Sequence, residues 1–275
     1  MLGKLMKHEW KAVWKVPAVL IIILQVIAVC AGFTFASPIW KSEMTGLGVL
    51  TVLIWMMFYF AIIGVNIGIM LFLAVRFYKN MFTDEGYLTH TLPVSTHQLL
   101  ISKILPMAAW VFISMLGVVL SLMILGSMAI MFGKPSDVSF WEFIGRTFSE
   151  LAELLKREGI MTTGIFNFII SLIFMMIISV FSGTMMIVGS ISIGQMLGKH
   201  KVLGSIGAYF GISTVVQILL TVLLMPGMTK MIHVSDNVFK ALAPIYWGMG
   251  LLSIVISVGL YFLSEFLIRR KLNLD

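Results

Sequence analysis

Cysteine is nearly absent from this chain of 275 residues: Cys30 stands alone, which excludes an internal disulfide and any cysteine-based metal cluster. Charge is scarce as well. Only 11% of the residues are charged while 60% are hydrophobic, far from the balance of a soluble domain. The signatures of catalysis are missing too. No GxxxxGK[ST] occurs, since the nearest approach, Gly194 to Lys199, has the wrong glycine spacing, and neither HExxH nor GxSxG is present. The five histidines, His8, His90, His97, His200 and His233, fall in different polar segments, so no metal site is expected. An enzyme or a self-powered motor is therefore not expected, and no cofactor is expected on this chain.

What is present is apolar length. The pattern reads as an all-α membrane protein, a single domain over 1–275 with six transmembrane helices at 17–36, 47–75, 104–132, 161–190, 204–225 and 245–267. The net charge of +7 would point to nucleic acid in a soluble protein, but here the basic residues flank the apolar runs. The expected partner is the lipid bilayer, with no nucleic acid.

Residues 1–16 place Leu2, Leu5, Met6, Trp10, Val13 and Trp14 near one helical face and Lys4, Lys7, Lys11 and Lys15 mostly on the other. This predicts an amphipathic helix lying at the headgroup level of an anionic cytoplasmic leaflet. The run from Pro17 to Ala36 is longer than most signal-peptide cores, so it is expected to remain as a span. Span two outruns a hydrocarbon core of ~30 Å, so its end should project from the membrane with Arg76 and Lys79. Pro106 is expected in the first turn of span three, where a missing donor matters little.

Between spans three and four, the 134–160 segment repeats the amphipathic pattern. Trp141, Ile144, Phe148, Leu151 and Leu155 follow helical spacing, with Glu142/Arg146 and Glu153/Arg157 as i,i+4 pairs. A second interfacial helix on the extracellular side is expected there. Residues 191–203 are expected to leave the bilayer as a short element bearing Lys199, His200 and Lys201, and Pro226 to Pro244 to form an interval between the last two spans. Of the 19 Lys and Arg residues, 12 fall in the N-terminus, 76–103, 198–204 and the C-terminal region, against 7 in the alternate loops. That bias puts both termini in the cytoplasm.

On this topology, 76–103 is the only long polar interval that is cytoplasmic between spans. Asp84, Glu85, Gly86, Thr89, Thr91, Pro93, Ser95 and Thr96 supply turn and capping residues where the flanks are apolar. Pro93 disfavours helix at Leu92, and Ser95 can cap a new helix from Thr96 into span three. The interval reads either as an ordinary solvated loop or as a docking element for a soluble partner.

Inside the spans only neutral polar groups remain, notably Asn66, Asn167 and Gln217. They are weak candidates for substrate contact, and interhelical hydrogen bonding is the commoner use of such groups. Without intramembrane acids or bases, ion-coupled transport is disfavoured. Gly64-xxx-Gly68, Gly194-xxx-Gly198 and Gly207-xxx-Gly211 are close-packing positions, within one chain or between two. The 22 methionines serve either as adaptable lining for a lipid-like or peptide-like cargo or as core filler.

Taken together, the layout resembles the permease subunits of ABC-2 type bacterial exporters. Phe77 to Ser95, FYKNMFTDEGYLTHTLPVS, is similar to their coupling segment. The resemblance implies a multi-pass protein of the bacterial plasma membrane, paired with a second permease chain and with separate cytoplasmic ABC ATPases that carry ATP and magnesium. It implies ATPase contacts at Asp84, Glu85, Tyr87, Leu88, Leu92 and Pro93, with a lesser contact around Lys199, His200 and Lys201. The long 134–160 segment departs from the short link usual in that family. The rival reading is a membrane anchor or immunity protein that recruits a soluble partner through the same interval without transporting anything.

Overall fold

The structure, a computed structural model, describes residues 2–35, 45–83, 86, 94–133, 142, 145, 146, 149, 164–197, 200–234 and 238–271. Among these residues the chain is all-helical: α1 (Leu2–Val13), α2 (Lys15–Phe33), α3 (Thr45–Phe82), α4 (Thr96–Gly133), α5 (Gly164–Gly194), α6 (Lys201–Val234) and α7 (Val238–Lys271). The last six are long and apolar enough to cross a membrane, so this is a multi-pass membrane protein. Helix is the form such sequences must take, because hydrocarbon offers no partner to a backbone N–H or C=O that the segment leaves unpaired.

Some boundaries fall as the sequence predicts and others differ, for reasons of backbone chemistry. Helix α3 continues past residue 75 to Phe82, carrying Arg76 and Lys79 on its last turns. Ser95 begins α4 as a cap, its Oγ accepting the Gln98 N–H at 3.3 Å. The helix then runs unbroken into the third span, which puts Pro106 inside α4 and not in a first turn. Prolines 226 and 244 likewise lie within α6 and α7 rather than bounding a linker, and only residues 235–237 separate those two helices in the chain. A proline removes one donor, and a helix whose other bonds hold in an apolar medium survives the loss. Helix α5 persists to Gly194, and Lys201 already opens α6, so the expected element at 191–203 shrinks to a short link.

Helices α1 and α2 are almost one. Trp14 keeps right-handed helical geometry, its N–H donates to the Trp10 carbonyl at 3.2 Å, and its own carbonyl accepts from Ala18 at 3.1 Å. Pro17 has no N–H to offer the Val13 carbonyl, and that missing bond marks the joint. In the 134–160 segment only Glu142, Gly145, Arg146 and Ser149 are described; there Arg146 donates to Glu142 at 2.9 Å, the i,i+4 pairing expected, on an exposed surface.

The chain divides into two compact units, one of residues 1–9, 74–108 and 154–275 and the other of residues 10–73 and 109–153. In the first, α5 packs chiefly on α7 and then on α6. Close approach is made possible by glycine: a Cβ on Gly194 would stand 2.1 Å from the Ser205 Oγ and 2.4 Å from its backbone nitrogen. Gly207 and Gly211, by contrast, face open space. In the second unit, α2 lies against α4, with Ile21 against Gly117 and Gln25 donating to the Gly117 carbonyl at 2.8 Å. Trp10 also stacks on buried Trp110, ring centres 5.1 Å apart.

Candidate functional site

The two residues that bound the 76–103 interval meet on a single carboxylate. Arg76 comes from the last turns of α3, Lys103 from near the start of α4, and Glu9 from α1. Lys103 Nζ donates to Glu9 Oε1, and Arg76 Nη2 lies 3.6 Å from Glu9 Oε2. The Lys103 side chain is only 7% exposed and that of Glu9 16%, so the cluster is far drier than a surface ion pair. Among the described residues two cations stand against this one anion, and Arg76 Nε is buried without a hydrogen bond. A pair in such surroundings resists separation more than an exposed one, because either partner left alone is a poorly solvated charge.

A second tie holds the start of α4. His97, two residues past the Ser95 cap, meets Tyr261 of α7 with its Nδ1 at 2.6 Å from the phenol oxygen, and the two rings sit edge to face. On the other side of the interval, the Thr83 hydroxyl donates to the Lys79 carbonyl at 2.6 Å and the Gly86 N–H donates to the Thr83 carbonyl at 2.7 Å. The chain turns back tightly here, since a Cβ on Gly86 would stand 2.7 Å from the Met81 carbonyl oxygen. Both stems of the interval are thus fixed, one by Glu9 and the other by Glu9 and Tyr261.

Of the residues proposed from sequence to contact a partner, Asp84, Glu85, Tyr87, Leu88, Leu92, Pro93 and Lys199 lie outside the described residues. His200 is exposed before α6, its carbonyl accepting the Gly204 N–H at 2.9 Å, and Lys201 is the first residue of that helix. The three amides considered for substrate behave differently from one another. Asn66 donates to the Ile62 carbonyl at 2.8 Å and accepts from Ser114 at 3.4 Å, linking α3 to α4. Asn167 accepts from Trp247 Nε1 at 3.1 Å, linking α5 to α7. Gln217 is exposed, and its side chain makes no hydrogen bond among the described residues. Asn66 belongs to one compact unit, and Asn167 and Gln217 to the other.

Sequence spacing overlooks Glu9. The signal was available: at about 100° per residue, Glu9 falls among Leu5, Met6 and Val13, on the side opposite Lys4, Lys7, Lys11 and Lys15. An acid in the middle of an apolar helical face needs a cationic partner, and the basic residues at 76 and 103 were there to supply it. Gln25 is a second omission, the only amide side chain of α2, with Oε1 buried and without a partner among the described residues. An open apolar groove of about 600 Å³, lined by Phe35, Thr51, Val52, Trp55, Met56, Tyr59 and Phe60, is a third. Trp55 is held at its rim by a 3.2 Å hydrogen bond from Nε1 to the Thr34 hydroxyl.

Among the described residues no three His, Cys, Asp or Glu side chains are grouped as metal ligands would be. Compared with known proteins, the chain matches no family model, no curated protein and no solved structure.

Proposed function

We propose that this chain is the permease subunit of an ATP-binding cassette exporter of the ABC-2 type, working with a second permease chain and with separate cytoplasmic ATPases. The observation that carries the reading is the convergence of Arg76 and Lys103 on Glu9. A solvated loop needs no such anchorage at its stems. A segment that transmits force does, because a push on 84–93 displaces helices only if the stems are stiff. The long α3 and α4, each of 38 residues, are the levers, and the Glu9 cluster and the His97–Tyr261 bond tie them to α1 and α7. ATP and magnesium bind the partner, whose closure moves the levers between two states that it binds unequally.

The cargo class is amphipathic, lipid-like or peptide-like. The aromatic and methionine-bearing groove of about 600 Å³ supports it, being an apolar surface of the size and adaptability such molecules require. Both termini are cytoplasmic in this reading, and the membrane is the bacterial plasma membrane.

The test is affinity purification of the tagged chain from native membranes, with Walker-motif ATPases identified by mass spectrometry. The expected result is a stoichiometric ATPase with the parent chain and its loss on changing Asp84→Lys together with Glu85→Lys. Equal ATPase recovery and undiminished transport in that variant would defeat the coupling role. Recovery of a soluble partner that is not an ATPase would favour the anchor or immunity reading.

A further inference from the structure

Helix α1 carries charge on two opposite sides, one exposed and the other turned to Arg76 and Lys103. Lys4, Lys7 and Lys11, with Lys15 at the start of α2, repeat at helical spacing along one stripe, and all four are exposed. Glu9 is the only acid between residues 1 and 35, and it points away from that stripe into the cluster with Arg76 and Lys103. No acid on α1 itself therefore competes for the lysines. Their position fixes the kind of surface they meet. The helix ladder passes through Trp14 directly into the span, so the farthest, Lys4, is within roughly 17 Å along the axis of the first residue of α2. Trp10 and Trp14, each more than a third exposed, lie beside the stripe, and indole rings favour the boundary between hydrocarbon and headgroups.

We propose that α1 is a sensor of anionic phospholipid: its lysine stripe binds the phosphodiester headgroups of the leaflet, and Glu9 passes the resulting position of the helix to Arg76 and Lys103. The inference deepens the coupling reading and rests on it for its consequence, namely that leaflet charge sets how stiffly the stems of 76–103 are held. Glu9 acts here as a positioning residue. Each lysine near an anionic leaflet strengthens the attraction of the helix to that surface about five-fold.

The experiment uses the full chain in nanodiscs of phosphatidylcholine alone or with added phosphatidylglycerol, without ATPase or ATP. Exposed Cys30 is changed to serine, and a single spin label is placed at Gly3→Cys on α1 or at Gln98→Cys on α4. With phosphatidylglycerol present, both labels should lose mobility, and high salt should restore it. Glu9→Gln should leave the response at position 3 and abolish it at position 98, with Glu9→Asp recovering the latter. Replacing Lys4, Lys7, Lys11 and Lys15 by glutamine leaves the ion cluster intact and should abolish both responses. Phosphatidylglycerol enrichment among co-purifying lipids should fall with each lysine removed.

An unchanged label at position 3, a response at 98 that survives Glu9→Gln, or a response that survives the lysine variant would each overturn the proposal. So would a label at position 3 that slows only when an ATPase is added, since the stripe would then be a protein contact. The lipid responses are read without the partner, so failure of the coupling role and failure of lipid sensing are separately visible.

Discussion

Polar side chains are used in two different ways in this protein. Where α1, α3 and α4 meet, the polar contact is ionic: one carboxylate holds two cations, and one of those, Lys103, is almost wholly buried. Within the spans the contacts are neutral and pairwise, Asn66 with Ser114, Asn167 with Trp247, and Gln25 with the Gly117 carbonyl. The difference follows from solvation. A charge at mid-membrane is costly even when paired, whereas an amide can hydrogen-bond across helices at small expense. The ionic contact sits at the two ends of the polar interval 76–103. The neutral pairs hold helices together without requiring any ligand.

This contrast can be broken by substitution, and the largest effect belongs to the ionic side. Glu9→Gln strands Lys103 beside Arg76 and should lower stability by about 3 kcal/mol, read as a depressed melting midpoint in detergent. A midpoint equal to that of the parent would mean the cluster does not hold the stems. Next in size, Tyr261→Phe removes the 2.6 Å bond to His97 and should cost about 1 kcal/mol, with faster hydrogen exchange in the first turn of α4. Among the neutral pairs, Asn66→Ala should cost only about 0.6 kcal/mol, since the one interhelical contact it loses, to Ser114, is long, and the other bond is to the Ile62 carbonyl of its own helix. Smallest of all, Gln217→Leu should leave the midpoint unchanged, because its exposed side chain bonds nothing described in the fold. If Gln217→Leu altered transport without altering stability, that residue would move from the structural to the cargo-contacting group.

Much of this was legible in the sequence, and the limits are instructive. Six runs of apolar residues announce six spanning helices because hydrocarbon leaves the backbone no alternative, and the cap at Ser95 follows from its side chain alone. The helix ends were harder. Pro226 and Pro244 suggested an interval bounded by breaks, yet each removes only one hydrogen bond, and α6 and α7 run through them. Glu9 was hidden for another reason: its partners are 67 and 94 residues away, and no local pattern joins them. It is visible only as an acid on the wrong face of an amphipathic helix. The interhelical hydrogen bonds of Asn66 and Asn167 likewise depend on which helices lie side by side, which spacing within one helix does not encode.

The side of the membrane on which the 76–103 interval lies decides the account most directly. Thr89→Cys, in a chain with Cys30 replaced by serine, should resist a membrane-impermeant maleimide in intact cells and react once the membrane is opened. Labelling in intact cells would put the interval outside, beyond the reach of any cytoplasmic ATPase, and would contradict the proposed coupling.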